Sequence, residues 1–251
     1  MQEYWESYIK SIDGHKAMIS FNAGVSDDVP NPEFMYVGFV KVKLKNPKED
    51  GLIESVESDD ISFIEDRIEM ESLRWRSGRY IGRIISNKEV NFIYYLRLDF
   101  EWSNTVYSAM KEFPEYEYEY GSRVDMEWEV YQKLLFPTIQ EWQIIANHHS
   151  CNSLVEQGDT LKESRAIEHK AYFFSQEKRE DFINTIESKS FKIQKKTQRI
   201  FREKDVFGVD FYRVDIPFFY EIDEITLNLI KDTQKFDGHY DGWECSLVKS
   251  S

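Results

Sequence analysis

The run Phe236-Asp237-Gly238-His239-Tyr240-Asp241-Gly242-Trp243-Glu244 concentrates side chains suited to chemistry or recognition. His239, Asp241 and Glu244 can exchange protons, yet no triad or cofactor motif accompanies them. Tyr240 and Trp243 bring the large amphipathic rings that anchor protein contacts. Asp237-Gly238 reads as a tight turn, and Asp241-Gly242 lets the backbone bend or approach a neighbour closely. Tyr240, Asp241, Trp243 and Glu244 are therefore candidate partner-binding residues, with completion of a sheet as the plainer role of the same run.

His169 lies in Ile167-Glu168-His169-Lys170-Ala171-Tyr172-Phe173. Strand alternation puts it on the side of Ile167, Ala171 and Phe173, opposite Glu168, Lys170 and Tyr172. A histidine on an apolar side serves more often as a hydrogen-bonded core or interface residue than as a base, so it joins the partner-binding candidates. The competing reading is a hydrolase using His169 with a carboxylate such as Asp241. That reading requires a concave site holding both groups within hydrogen-bond reach. No catalytic residue is assigned, and a non-enzyme is the expectation.

Other constellations are thinner. His148-His149-x-Cys151 has soft and borderline metal ligands, but adjacent histidines do not close a tetrahedral site. Glu65 and Glu69 share a helix side at a spacing common on wet helices, without the Glu-x-x-His pairs of a dimetal bundle. Asp205, Asp210 and Asp215 have no fixed separation. Phosphate-cradling glycine loops, a serine elbow and a His-Glu-x-x-His motif are lacking. Neither metal nor cofactor is expected.

These residues must be positioned by a chain of 251 residues, long enough for one large core or two ordinary ones. Its 41% hydrophobic and 16% aromatic content argues against disorder. The formal charge of -14 opposes direct nucleic-acid or anionic-membrane binding. Residues 1–152 carry 27 acidic against 16 basic residues, so the excess is concentrated there. The basic stretch around Lys195, Lys196, Arg199 and Arg202 reads as the wet face of a strand. No leader or membrane-spanning stretch is expected. Cys151 and Cys245 read as free thiols of a reducing cytoplasm, pairing only if the fold brings them together.

The first part reads as extended segments at residues 17–21 and 35–44, then a helix over 60–74 with Asp59 or Asp60 as its cap. A hairpin follows over 79–85 and 90–98, turning near Asn87-Lys88. A helix over 103–113 stops at Pro114, the alternating Tyr116, Tyr118 and Tyr120 begin a strand, and a short helix over 128–135 ends at Pro137. Residues 138–158 read as a junction, with Trp142 to Ala146 packed rather than flexible. Beyond it come a strand over 165–174, a helix over 176–189, strands over 191–201 and 207–216 joined by Glu203-Lys204-Asp205, a helix from Glu221 or Asp223 towards Lys235, and a strand over 240–248. That order is β-α-β-β-α-β, the ferredoxin-like split motif.

Gly158-Asp159-x-Leu161, Arg165-x-Ile167-x-His169-x-x-Tyr172-Phe173 and Tyr240-Asp241-Gly242-Trp243-Glu244 together resemble the bacterial ribonuclease E inhibitor, RraB-like domain, over about residues 155–249. The resemblance implies a small ferredoxin-like module that regulates an RNA-degrading enzyme by protein contact. Trp5-x-x-Tyr8, Asp50-Gly51-Leu52, the helix from Asp60 to Leu73, and Asp125-x-x-Trp128-x-x-Tyr131 before Leu134 and Pro137 resemble a bacterial domain family of unknown function, numbered 695, over about residues 3–138.

The expectation is an α+β protein of two ferredoxin-like domains, each with helices packed on one face of an antiparallel sheet. Residues 1–140 form the first domain, 141–157 a junction and 158–251 the second. The function expected is cytoplasmic, non-enzymatic regulation through a protein partner, with an RNA-degrading enzyme as the partner implied by resemblance. A structural tandem module packed through Trp142 is the third reading.

Overall fold

The computed structural model describes residues 4–202 and 204–249, and its backbone contacts divide the chain between Glu141 and Trp142. The first unit opens with a hairpin of β1 (Trp5–Ile12) and β2 (His15–Asn22). Asp13 and Gly14 turn it with φ of 51° and 82°, the two left-handed residues that match the twist of paired strands. Then follow β3 (Tyr36–Lys43), α1 (Ser55–Trp75), β4 (Gly78–Ser86), β5 (Glu89–Leu96), α2 (Trp102–Met110) and β6 (Tyr118–Val124). Asn87 and Lys88, at φ 50° and 68°, turn β4 into β5 at the expected place.

α1 begins a turn before the expected cap. Asp59 and Asp60 lie inside it, and Asp60 accepts a hydrogen bond from the Tyr116 hydroxyl at 3.1 Å. The buried Glu57 instead accepts from the backbone N–H groups of Lys45 and Asn46, tying the incoming loop to the first helical turn.

The six strands run in the order β1-β2-β4-β5-β3-β6, all pairs antiparallel. Ile61, Ile64 and Ile68 of α1 and Trp102 and Val106 of α2 pack against Val90, Phe92, Tyr94 and Leu96 of β5. The opposite face is also covered, although not by a regular α-helix. Residues 128–135, read from sequence as a short helix, make a π-helical turn over Val130–Leu135, entered by Trp128 at φ 55°. The Trp128 ring stacks on Tyr95 at 3.7 Å, and Tyr131 donates to the Asn22 carbonyl at 3.0 Å. Asp125 accepts from the N–H groups of Glu129 and Val130 and from the Tyr95 hydroxyl at 2.6 Å. The Asp-x-x-Trp-x-x-Tyr spacing is thus a latch: one carboxylate caps the turn, and two rings close it over the sheet.

α3 (Ile139–Glu156) spans the division between the units and occupies the segment read as a junction. The second unit continues with β7 (Arg165–Phe173), α4 (Gln176–Glu187), β8 (Lys192–Phe201), β9 (Lys204–Asp215), α5 (Phe219–Lys235) and β10 (His239–Cys245). Its antiparallel sheet is ordered β10-β7-β9-β8. The expected turn at 203–205 includes Glu203, which lies outside the described residues. Phe173, Phe182, Ile186, Phe211 and Leu229 form the core between sheet and helices.

Among the described residues, no helix is long and apolar enough to cross a membrane.

Candidate functional site

β10 pairs with β7 through a bulge: Tyr240 lies opposite Ala171 and Gly242 opposite Lys170, leaving Asp241 as the extra residue. Gly242 takes φ 113°, a conformation that side chains disfavour. The bulge shifts the alternation, so that Tyr240 and Trp243 both face the helices although three positions apart. At the preceding turn Asp237 takes the left-handed conformation, at φ 50°. Gly238 is needed for space there, since a Cβ on it would sit 2.2 Å from the Phe173 ring.

This geometry corrects two of the five recognition candidates. Tyr240 and His169 are core residues, 6% and 0% exposed, and their side chains bond to each other at 2.8 Å between the hydroxyl and Nδ1. His169 stacks on Phe211 and meets Phe191 edge-on. Burial, with a smaller contribution from the Arg213 charge, lowers its pKa to about 3, so the ring is neutral. Asp241 is exposed on the bulge. A hydrolytic pair of His169 and Asp241 in one open cleft is therefore not what the fold builds: the imidazole is sealed and has Tyr240 as its partner.

Trp243 is half-buried, and its indole N–H donates to Asn147 Oδ1 of α3 at 2.8 Å. Asn147, fully buried, also accepts from Gln143 and donates to Asp223 and Thr226, each at 2.8 Å. All of its amide capacity is used, the condition under which a buried polar group is tolerated. His148 bonds Asp223 at 2.9 Å, whereas the Cys151 thiol donates to the Pro217 carbonyl at 3.4 Å. The His148-His149-x-Cys151 run therefore diverges along α3. Cys151 and Cys245 are free but share a cluster with Leu161, Ile167 and Ile222, and burial pushes the Cys151 thiol up to about 12.

Gly158-Asp159-x-Leu161 is likewise structural. Arg165 grips Asp159 with both terminal nitrogens, one contact being 2.9 Å, and also donates to the Ser246 carbonyl. Asp159 accepts from the N–H groups of Leu161 and Val248, so one buried pair ties the segment before β7 to the chain after β10. Hydrogen bonding from Arg165 holds the Asp159 carboxyl well below the usual carboxylate range.

What stays accessible is the outer side of the bulge. Glu168, Lys170, Asp241, Gly242, Trp243 and Glu244 line a shallow depression of about 140 Å³, in which Lys170 pairs with Glu244 at 2.7 Å. Glu65, elsewhere, is paired with Arg83. The sequence reading missed Asn147; an asparagine in a helix carries no pattern until its four partners are in place.

The molecule is thus a tandem α+β protein in which helices back two antiparallel sheets and most motif residues pack within their own unit. Residues 3–136 match the model of a family of unknown function, DUF695, which covers more than half of the chain; the chain belongs to this family. Residues 144–245 match the model of the family described as Regulator of ribonuclease activity B, beginning within α3. No curated protein matches. A crystal structure of an unknown protein from Galdieria sulphuraria is 13% identical, covering 84% of this chain and 97% of that one, at a TM-score of 0.24. That of a candidate glycine cleavage system transcriptional repressor is 6% identical, with 84% and 98% covered, at 0.26.

Proposed function

We propose that the protein is a non-enzymatic regulator acting by protein contact through its second unit, on an enzyme of RNA degradation in the cytoplasm. The observation that carries this is the match of residues 144–245 to the ribonuclease-regulator family. Asp241 and Glu244, exposed on the bulge, are the contact residues, with the accessible edge of Trp243 beside them. Tyr240 and His169 serve by holding β10 against β7.

Both units belong in this reading to the ferredoxin-like class. The strand orders β6-β3-β5-β4 and β10-β7-β9-β8 support this, each running fourth-first-third-second around two crossover helices. In the first unit the β1–β2 hairpin extends that sheet. We assign α3 from about residue 144 to the second domain, because Asn147 and Cys151 pack within it.

The test is affinity capture from native cells, comparing the wild-type chain with Asp241→Lys/Glu244→Lys. Both positions are exposed, so folding is retained and checked by circular dichroism. Loss of a specific protein from the variant's capture is the expected result. Equal recovery by both would remove the bulge as the contact site.

A further inference from the structure

A concavity of the second unit lies away from the bulge, between β9 and α5, with a volume of about 860 Å³. Its apolar lining joins the buried Phe191 and Leu229 to the more accessible Ile216 and Ile225. Ile216 is 40% exposed.

Its charges are not balanced. The two cations that line it are engaged: Arg213 bonds Asp215 and lies over the Phe191 ring at 4.3 Å, and Lys189 pairs with Asp232. Glu221 and Glu224, exposed on the rim, carry no ion pair among the described residues. Glu221, Glu224 and Ile225 share one side of α5 at helical spacing, so two exposed carboxylates border the half-buried Ile225.

We propose that this groove receives a basic amphipathic segment of a partner protein. Apolar side chains of that segment cover Ile225 and Ile216, and its lysines or arginines pair with Glu221 and Glu224. The proposal rests on the protein-contact reading and adds the chemistry of the partner. An anionic partner would meet unpaired carboxylates at the rim, whereas a purely apolar one would leave both without counter-charge.

The test uses the full chain and two labelled peptides of leucine and lysine with identical composition, one patterned as a three-turn amphipathic helix and one shuffled. Fluorescence polarisation should show the patterned peptide binding at least about tenfold more tightly. Glu221→Lys/Glu224→Lys should remove that preference. Glu177→Lys/Glu187→Lys makes the same charge change on the exposed surface of α4 and should retain it. Equal binding of the two peptides, or equal loss in both variants, would mean attraction to net charge alone and overturn the proposal. A dimer in sedimentation that is lost only in Glu221→Lys/Glu224→Lys would give the groove to a second copy and also overturn it. Native capture that depends on Asp241 and Glu244 tests the broader reading separately, so either can fail alone.

Discussion

At Asn147 a single side chain joins Gln143, Asp223, Thr226 and Trp243. Leucine in its place would fill the volume but leave the Trp243 N–H without its acceptor. Asn147→Leu should therefore lower stability by roughly 1–3 kcal/mol for each buried group left unpaired, read from urea unfolding. His169 sets a pH dependence. Its folded pKa of about 3 lies below the ordinary value near 6.5, so the unfolded chain binds the extra proton first. The penalty is absent above pH ~6.5 and grows as pH falls towards the folded value, at up to about 1.4 kcal/mol per pH unit. Unfolding of His169→Leu between pH 6.5 and 5 should show a shallower slope than wild type; identical slopes would mean that the buried imidazole is not the titrating group. The placement of His169 beside apolar neighbours was legible from alternation in β7. The sides taken by Tyr240 and Trp243 are not legible from alternation, because the bulge at Asp241 decides them.

Elements with strong punctuation are legible in the sequence. The strand-helix-strand-strand-helix-strand order of the second unit could be read because β7 alternates and α4 and α5 carry spaced apolar positions. Asp13-Gly14 is a turn dipeptide joining β1 to β2. α3 was harder, since its buried side includes Asn147 and Cys151 and therefore lacks an apolar stripe. Because those residues pack with α5 and β10, a chain starting at residue 139 should give a cooperative thermal transition for the second unit, whereas one starting at 158 should not. Two equally cooperative transitions would return α3 to the role of linker. The Asp159–Arg165 pair makes a second prediction at this scale. Asp159→Ala leaves a buried guanidinium unpaired and should cost about 3–5 kcal/mol. Asp159→Ala/Arg165→Met should cost less than the two single changes added together, in the same urea assay.

For the whole molecule, the formal charge of -14 is the feature read most directly from composition. Like-charge repulsion of that size is screened by salt, so the thermal midpoint should rise by about a few degrees between low and physiological ionic strength. A fall would mean that surface ion pairs outweigh the repulsion. The strand orders have a consequence for synthesis. In each unit the closing strand, β6 or β10, lies directly beside the first strand of its β-α-β-β-α-β set, β3 or β7. A nascent chain that has released α5 but not β10 therefore presents β7 as an open edge, with His169 lacking Tyr240 and Asn147 lacking Trp243. The second sheet cannot be sealed until β10 has emerged, which makes the interval between the emergence of α5 and that of β10 a period of exposure to mispairing with other chains.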